Sequence, residues 1–192
     1  SFSYDEYTVD FDFRRQTFMF ATSEPHRVFH ALKDRLDRID LEEYSYEELG
    51  EIVRINLPDV IFGKGLLGKI ASVLRGNARA AQKMAIKIQM WLDANGGYKF
   101  LAADWKDLMY TLGIAPLGLR AKEIEILHVL RDSRDCSLTR LGSKTGMTPE
   151  SLRRDYELYL MKVDLLEIST AGRNITPEGK DYLKQLELEE AA

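Results

Sequence analysis

"TPESLRRDYELYLMKVDLLEISTAGRNITPEGKDYLKQL", residues 148–186, changes its periodicity twice, and those changes decide the fold. Up to Asp164 the apolar residues recur at helical spacing, with Thr148 placed as N-cap and Pro149 at the first helical position, where a missing N–H costs nothing. "LLEIS" (165–169) and "NIT" (174–176) are short β-forming runs, and the "TAGR" between them reads as a turn. "PEGKDYLKQL" then opens a last helix. Immediately upstream, "RAKEIEILHVLRDS" (120–133) is a helix and "SLTRLGSKTG" (137–146) a short one ended by Gly146. Three helices, a two-stranded ribbon and a further helix make a winged helix-turn-helix. Its third helix is built to enter a DNA major groove, with the wing on the adjacent backbone.

The stretch "APLGLR" (115–120) is a turn-rich joint, and the grammar before it is different. Residues 45–113 read as a bundle of four helices. "DLEEYSYEELGEIVRINL" (40–57) holds a short strand and then a helix, for which Ser45 and Glu48 form a capping box. "GNARAAQKMAIKIQMWLDANGG" (76–97) is a helix capped by Asn77 and ended by Gly96 and Gly97, and "AADWKDLMYTLGI" (102–114) is one more. Between them lies "GKGLLGKI" (63–70), one residue short of the phosphate-binding pattern G-x-x-x-x-G-K-[S/T]. The position that should carry a Mg²⁺-binding hydroxyl is Ile70. Leu66, Leu67, Ile70, Val73 and Leu74 instead repeat as the apolar stripe of a helix that begins near Lys64. The stretch reads as packing.

At the N-terminal end, "YTVDFDF" (7–13) and "QTFMFATS" (16–23) are rich in β-branched and aromatic residues and predict two strands. From Pro25 the pattern turns helical through "VFHALKDRLDRI" (28–39). The fold class is therefore mainly α with short β.

Composition narrows the classes further. The 192 residues are 45% hydrophobic and 30% charged, an ordinary globular balance. A net charge of −4 argues against a uniformly basic nucleic-acid coat and leaves room for a local basic face. Cys136 is the single cysteine, so no internal disulfide forms. It reads as a small half-buried residue near a helix end. No apolar run approaches the ~20 residues of a membrane span and no signal peptide is visible, which predicts no membrane association and a cytoplasmic location. A start at Ser1 without Met suggests a fragment or a processed chain.

The order of "FMFATSEP", "LKDRLDRI", "RGNARAA" and "DYELYL…LLEISTAGRNITPEG" resembles the RuvB family, AAA+ motors of Holliday-junction branch migration. The likeness runs from about Thr17 to Leu183. It implies that residues 1–41 are the end of an AAA+ α/β core, 45–113 its helical lid, and 120–186 a DNA-binding winged helix. It also implies a parent protein that binds ATP with Mg²⁺, assembles as a homo-hexamer, grips duplex arms of branched DNA, and meets a RuvA-like junction-binding partner. That partner would dock on a hairpin just before the first nucleotide sensor, where this chain has "SFSYDEYTVDFDF".

Residue by residue, the resemblance implies that Thr22, at the end of a strand, is that sensor, orienting the attacking water near the γ-phosphate. Arg35 becomes the arginine finger inserted into a neighbouring subunit's ATP site, a group able to contribute ~10³-fold or more in rate. Arg79 becomes a lid arginine touching the nucleotide, although Ala78 stands where the family usually has proline. The wing keeps only Arg173 where the family usually carries several arginines. DNA contact would then lean on Arg153, Arg154 and Lys144, in and before the recognition helix, with Arg173 exposed on the wing. There is no intact phosphate loop and no apolar strand ending in paired acids, so the chain alone is expected to hold no cofactor tightly and to hydrolyse no ATP. Two other readings stay open: a winged-helix transcription regulator whose bundle dimerises, and another AAA+ subunit such as a clamp loader or replication initiator.

Overall fold

In the computed structural model the described residues are 2–4, 7–9 and 12–190, and they divide into two units, residues 1–42 and 43–192. In the first unit, β1 (Phe2–Tyr4) and β2 (Tyr7–Val9) form an antiparallel hairpin with Phe2 opposite Val9 and Tyr4 opposite Tyr7. The strand expected over 7–13 thus begins where expected; Asp10 and Phe11 lie outside the described residues.

Two expectations for this unit fail. Residues 16–23 form no strand: among the described residues no chain pairs with them, and an isolated strand leaves its N–H and C=O groups without a ladder. Phe18, Met19 and Phe20 are exposed, with Phe18 edge-on to Phe13 and stacked on Phe20. The helix expected over 28–39 shrinks to a 3₁₀ turn (Pro25–Arg27) and the single turn α1 (His30–Lys33). No residue of α1 is buried, and so short a helix needs a packed face to persist.

The second unit holds two cores. The first gathers α2 (Tyr46–Ile55), α3 (Leu66–Ala71), α4 (Ala78–Asn95) and α5 (Ala102–Leu112). The predicted caps are in place. The Glu48 N–H donates to Ser45 Oγ and the Ser45 N–H to Glu48 Oε2, while Asn77 Oδ1 accepts from the N–H groups of Arg79 and Ala80. Gly96 and Gly113 end their helices in the left-handed region. The short strand expected directly before α2 does not form over residues 40–45; the Tyr44 N–H instead donates to Gly76 O. Leu49, Val53, Ile70, Ile88 and Phe100 are fully buried. Each such side chain contributes about 1.5–3 kcal/mol of transfer free energy. A parallel pair, β3 (Ile61–Phe62), within the strand-like "DVIF", with β4 (Lys99–Phe100), ties the entries of α3 and α5 together.

The "GKGLLGKI" stretch is helix entry, as expected. Gly65 sits at φ 71 before α3, and Leu66 and Ile70 point into the core.

The second core is a winged helix-turn-helix. It comprises α6 (Ala121–Arg131), α7 (Leu138–Thr145), a recognition helix over 149–162, the wing strands β5 (Leu166–Ile168) and β6 (Arg173–Ile175), and α10 (Pro177–Glu190). The recognition helix is α8 (Pro149–Ser151), a π-helical stretch (Leu152–Glu157) and α9 (Leu158–Lys162). Leu119, Ile126, Leu127, Leu141, Leu152, Leu160 and Leu183 close its interior. No helix among the described residues is long and apolar enough to cross a membrane.

Candidate nucleic-acid interface

The turn between α7 and the recognition helix is set by two glycines and a cap. Gly146 ends α7 at φ 68, and the Met147 N–H returns to Gly142 O at 3.2 Å. A Cβ on Gly142 would lie 2.7 Å from Met147 O, so only glycine lets the turn fold back this closely. Thr148 Oγ1 then accepts the Ser151 N–H at 3.2 Å, and Pro149 opens the helix.

The π-helical stretch has a structural consequence. Within it Leu152 and Glu157 are buried while Arg153, Arg154 and Asp155 stay exposed. Glu157 is 3% exposed and lies against the 14%-exposed Arg173 of β6. Arg173 Nε donates to Glu157 Oε1 at 2.6 Å and Nη2 to Oε2 at 3.3 Å. This overturns the expectation of an exposed wing arginine. The Arg173 guanidinium is committed to a buried partner, because leaving Glu157 charged and unpaired would be expensive.

The wing is braced on its other side as well. Cys136 forms a one-residue strand against Arg173, each N–H donating to the other's C=O at 3.0 Å. The Asp135 N–H donates to Asn174 Oδ1 at 2.8 Å and Asn174 Nδ2 to Asp135 Oδ1 at 3.0 Å. A Cβ on Gly172 would lie 2.5 Å from the Asp135 carbonyl carbon, which reserves that position for glycine. Cys136 is fully buried rather than half-buried. Burial pushes its thiol above the usual range, against the opposing pull of Arg140 and Arg173.

With Arg173 spoken for, four exposed cations without an ionic partner among the described residues lie on α7 and the recognition helix, while Arg134, Lys180 and Lys184 lie elsewhere in this core. Lys144 at the end of α7 and Arg153 and Arg154 on the recognition helix are exposed, and none of their side chains has an ionic partner among the described residues. Arg140, in the first turn of α7, is likewise exposed and unpaired. Helical periodicity marks it only as a solvated position, so the sequence alone does not single it out.

The three residues assigned to nucleotide sensing are divided between the two units. Thr22 and Arg35 fall in the first unit: Thr22 Oγ1 accepts the Glu24 N–H at 3.0 Å, and Arg35 Nη1 donates to Ala31 O at 2.6 Å. Thr22 does not end a strand, because none forms there. Arg79 lies in the second unit, exposed in the first turn of α4. The residues of "GKGLLGKI" do not fit a phosphate cradle, since Leu66 and Ile70 fill the core and no hydroxyl follows Lys69.

Residues 116–184 match the RuvB C-terminal winged helix domain. Over its length the chain is similar to the RuvB subunit of the Holliday junction branch migration complex. It is 27% identical to that of Ehrlichia canis (strain Jake), covering 93% of this chain and 56% of the relative. Against the RuvB subunit of Kosmotoga olearia identity is 24%, over 92% of this chain and 53% of the relative. Among solved structures, the Thermotoga maritima RuvB Holliday junction branch migration motor superimposes with a TM-score of 0.66 at 25% identity, over 75% of this chain and 50% of that one. The chain spans about half the length of the curated relatives it matches.

Proposed function

We propose that this chain, RuvB-like over its length, is the DNA-gripping half of an ATP-driven translocase that acts on branched duplex DNA. The observation that carries the reading is the division of labour among the basic side chains. One, Arg173, braces the wing against the recognition helix, while Arg140, Lys144, Arg153 and Arg154 stand exposed and unpaired on the helix-turn-helix. A braced frame presenting exposed cations suits backbone contact, which holds a duplex without reading its sequence. The recognition helix enters the major groove, and Arg140 and Lys144 on α7 meet the flanking phosphates.

In this reading ATP and Mg²⁺ are held by a part of the longer protein that carries the phosphate loop. This chain contributes Arg35 as the finger across a subunit boundary, Thr22 as a water-orienting hydroxyl, and Arg79 as the contact from the helical lid. The assembly is a homo-hexameric ring working in the cytoplasm, and the β1–β2 hairpin is where a RuvA-like partner docks. Two measurements test it. Fluorescence anisotropy of this chain should show binding that is independent of duplex sequence and tighter on four-way junctions. Tight binding to one palindrome alone would instead identify a transcription regulator. In the longer protein, Arg35→Ala should abolish ATP hydrolysis with ATP affinity retained, and Arg79→Ala should weaken affinity as well. Equal loss of affinity in both would remove Arg35 from the finger role.

A further inference from the structure

The stretch joining the two cores of the second unit has the composition of a hinge and the structure of a clamp. Arg75, in the turn between α3 and α4, reaches across it. Its Nη1 donates to Glu123 Oε1 at 2.8 Å and its Nη2 to Glu123 Oε2 at 2.7 Å and also to Gly118 O. The same guanidinium lies 3.9 Å above the ring of Tyr159, on the recognition helix. Tyr159 Oη donates to Leu117 O at 2.6 Å, and Tyr182 Oη, from α10, to Pro116 O at 2.9 Å. Lys162 pairs with Glu43 at the edge of the same contact.

The backbone is committed too. Arg75 and Leu117 sit at φ 55 and φ 60, a region that non-glycine residues occupy only when their surroundings hold them there. A Cβ on Gly118 would lie 2.3 Å from Val73 O, so the two backbones meet with no side chain between them. Glu123 is buried and also accepts the Arg120 N–H. Swinging one core away from the other would strand that carboxylate without its cation, which is what makes the clamp stiff.

Arg75 is two residues before the cap of α4 and four before Arg79. Its partners Glu123 and Tyr159 lie on α6 and on the helix that carries Arg153 and Arg154. We propose that Arg75 is a positioning residue that locks the helical bundle and the winged helix into one lever, so that a displacement at the start of α4 reaches the DNA-contacting helix without loss in the joint. The lever rests on the contacts above; its use in carrying nucleotide state to DNA rests on the role proposed for Arg79.

Backbone ¹⁵N relaxation on the 192-residue chain tests the lever. Rotational time scales with the cube of the radius, so cores of similar size that move apart would tumble in roughly half the time of the joined pair. The unaltered chain should give one correlation time for residues 46–112 and 121–186. Arg75→Ala should split it into two shorter ones while amide shifts inside each core stay in place. Glu123→Gln, which keeps the side chain's shape, should do the same to a smaller degree, and Arg75→Lys should restore part of the coupling. On adding a short linear duplex, the bundle amides of the unaltered chain should slow together with those of the winged helix, whereas in Arg75→Ala they should keep their faster tumbling. Two correlation times in the unaltered chain, or a single one in Arg75→Ala, would overturn the proposal. Failure of the duplex to bind would count against the DNA reading alone, because the first comparison is made without it.

Discussion

Replacing Arg173 by alanine removes the cation from a carboxylate that the fold keeps buried. The Glu157 side chain is 3% exposed, and its two oxygens accept from Nε and Nη2 of Arg173. Breaking a buried pair from one side costs about 3–5 kcal/mol, and the 14% exposure of Arg173 argues for the lower end, because some water can follow the cavity. For a cooperative unit of this size, 1 kcal/mol moves Tm by about 2–4 °C, so a cost of ~3 kcal/mol predicts a fall of roughly 6–12 °C. Arg173→Lys keeps the charge and loses the two-pronged geometry, and should fall by less. Replacing the pair together, Glu157→Leu with Arg173→Met, should recover most of the loss, since an apolar pair of similar volume leaves no charge stranded. Calorimetry gives the Tm values, and anisotropy titrations over a salt series give the second half of the test. DNA affinity of Arg173→Ala should drop because the wing loses its angle to the recognition helix. The slope of log K against log[salt] should not change, because every phosphate keeps its cation. A melt indistinguishable from the unaltered chain, together with a shallower slope, would refute the reasoning and return Arg173 to the DNA surface.

The opposite pattern is expected for Arg153→Ala with Arg154→Ala: a salt slope shallower by about 0.9 for each phosphate that is no longer neutralised, with Tm nearly unchanged because both side chains are exposed and unpaired. Ser45→Ala should cost ~1 kcal/mol by removing the acceptor for the Glu48 N–H, read as a lower urea midpoint at constant m-value. Burial raises the hydroxyl pKa values of Tyr159 and Tyr182, so the neutral phenols favour folding. That contribution is complete below the unfolded phenol's pKa of ~10 and is lost as pH climbs from there towards the folded values. Stability should therefore fall above about pH 10, and Tyr182→Phe should flatten the fall in an alkaline denaturation series.

Much of this protein is legible in its sequence because much of it is local. The caps at Ser45, Asn77 and Thr148, the stops at Gly96, Gly113 and Gly146, and the shift from helical to strand-turn-strand spacing across 148–186 each depend on residues within a few positions of one another. Local signals misled where a partner was needed. Residues 16–23 have strand composition and no ladder among the described residues, and 28–39 have helical periodicity but only one α-helical turn, none of whose residues is buried. The functional assignment divided along the same line. Nothing in "TAGRN" distinguishes a phosphate-seeking arginine from one that turns inward, and what turns it inward is the buried Glu157, sixteen residues upstream on the recognition helix. The Arg75–Glu123 clamp joins residues 48 apart across a segment whose composition says hinge. Helix caps and turns are written in neighbouring residues because their hydrogen bonds close over one turn. Ion pairs between elements depend on which faces packing brings together, and only the tertiary structure decides that.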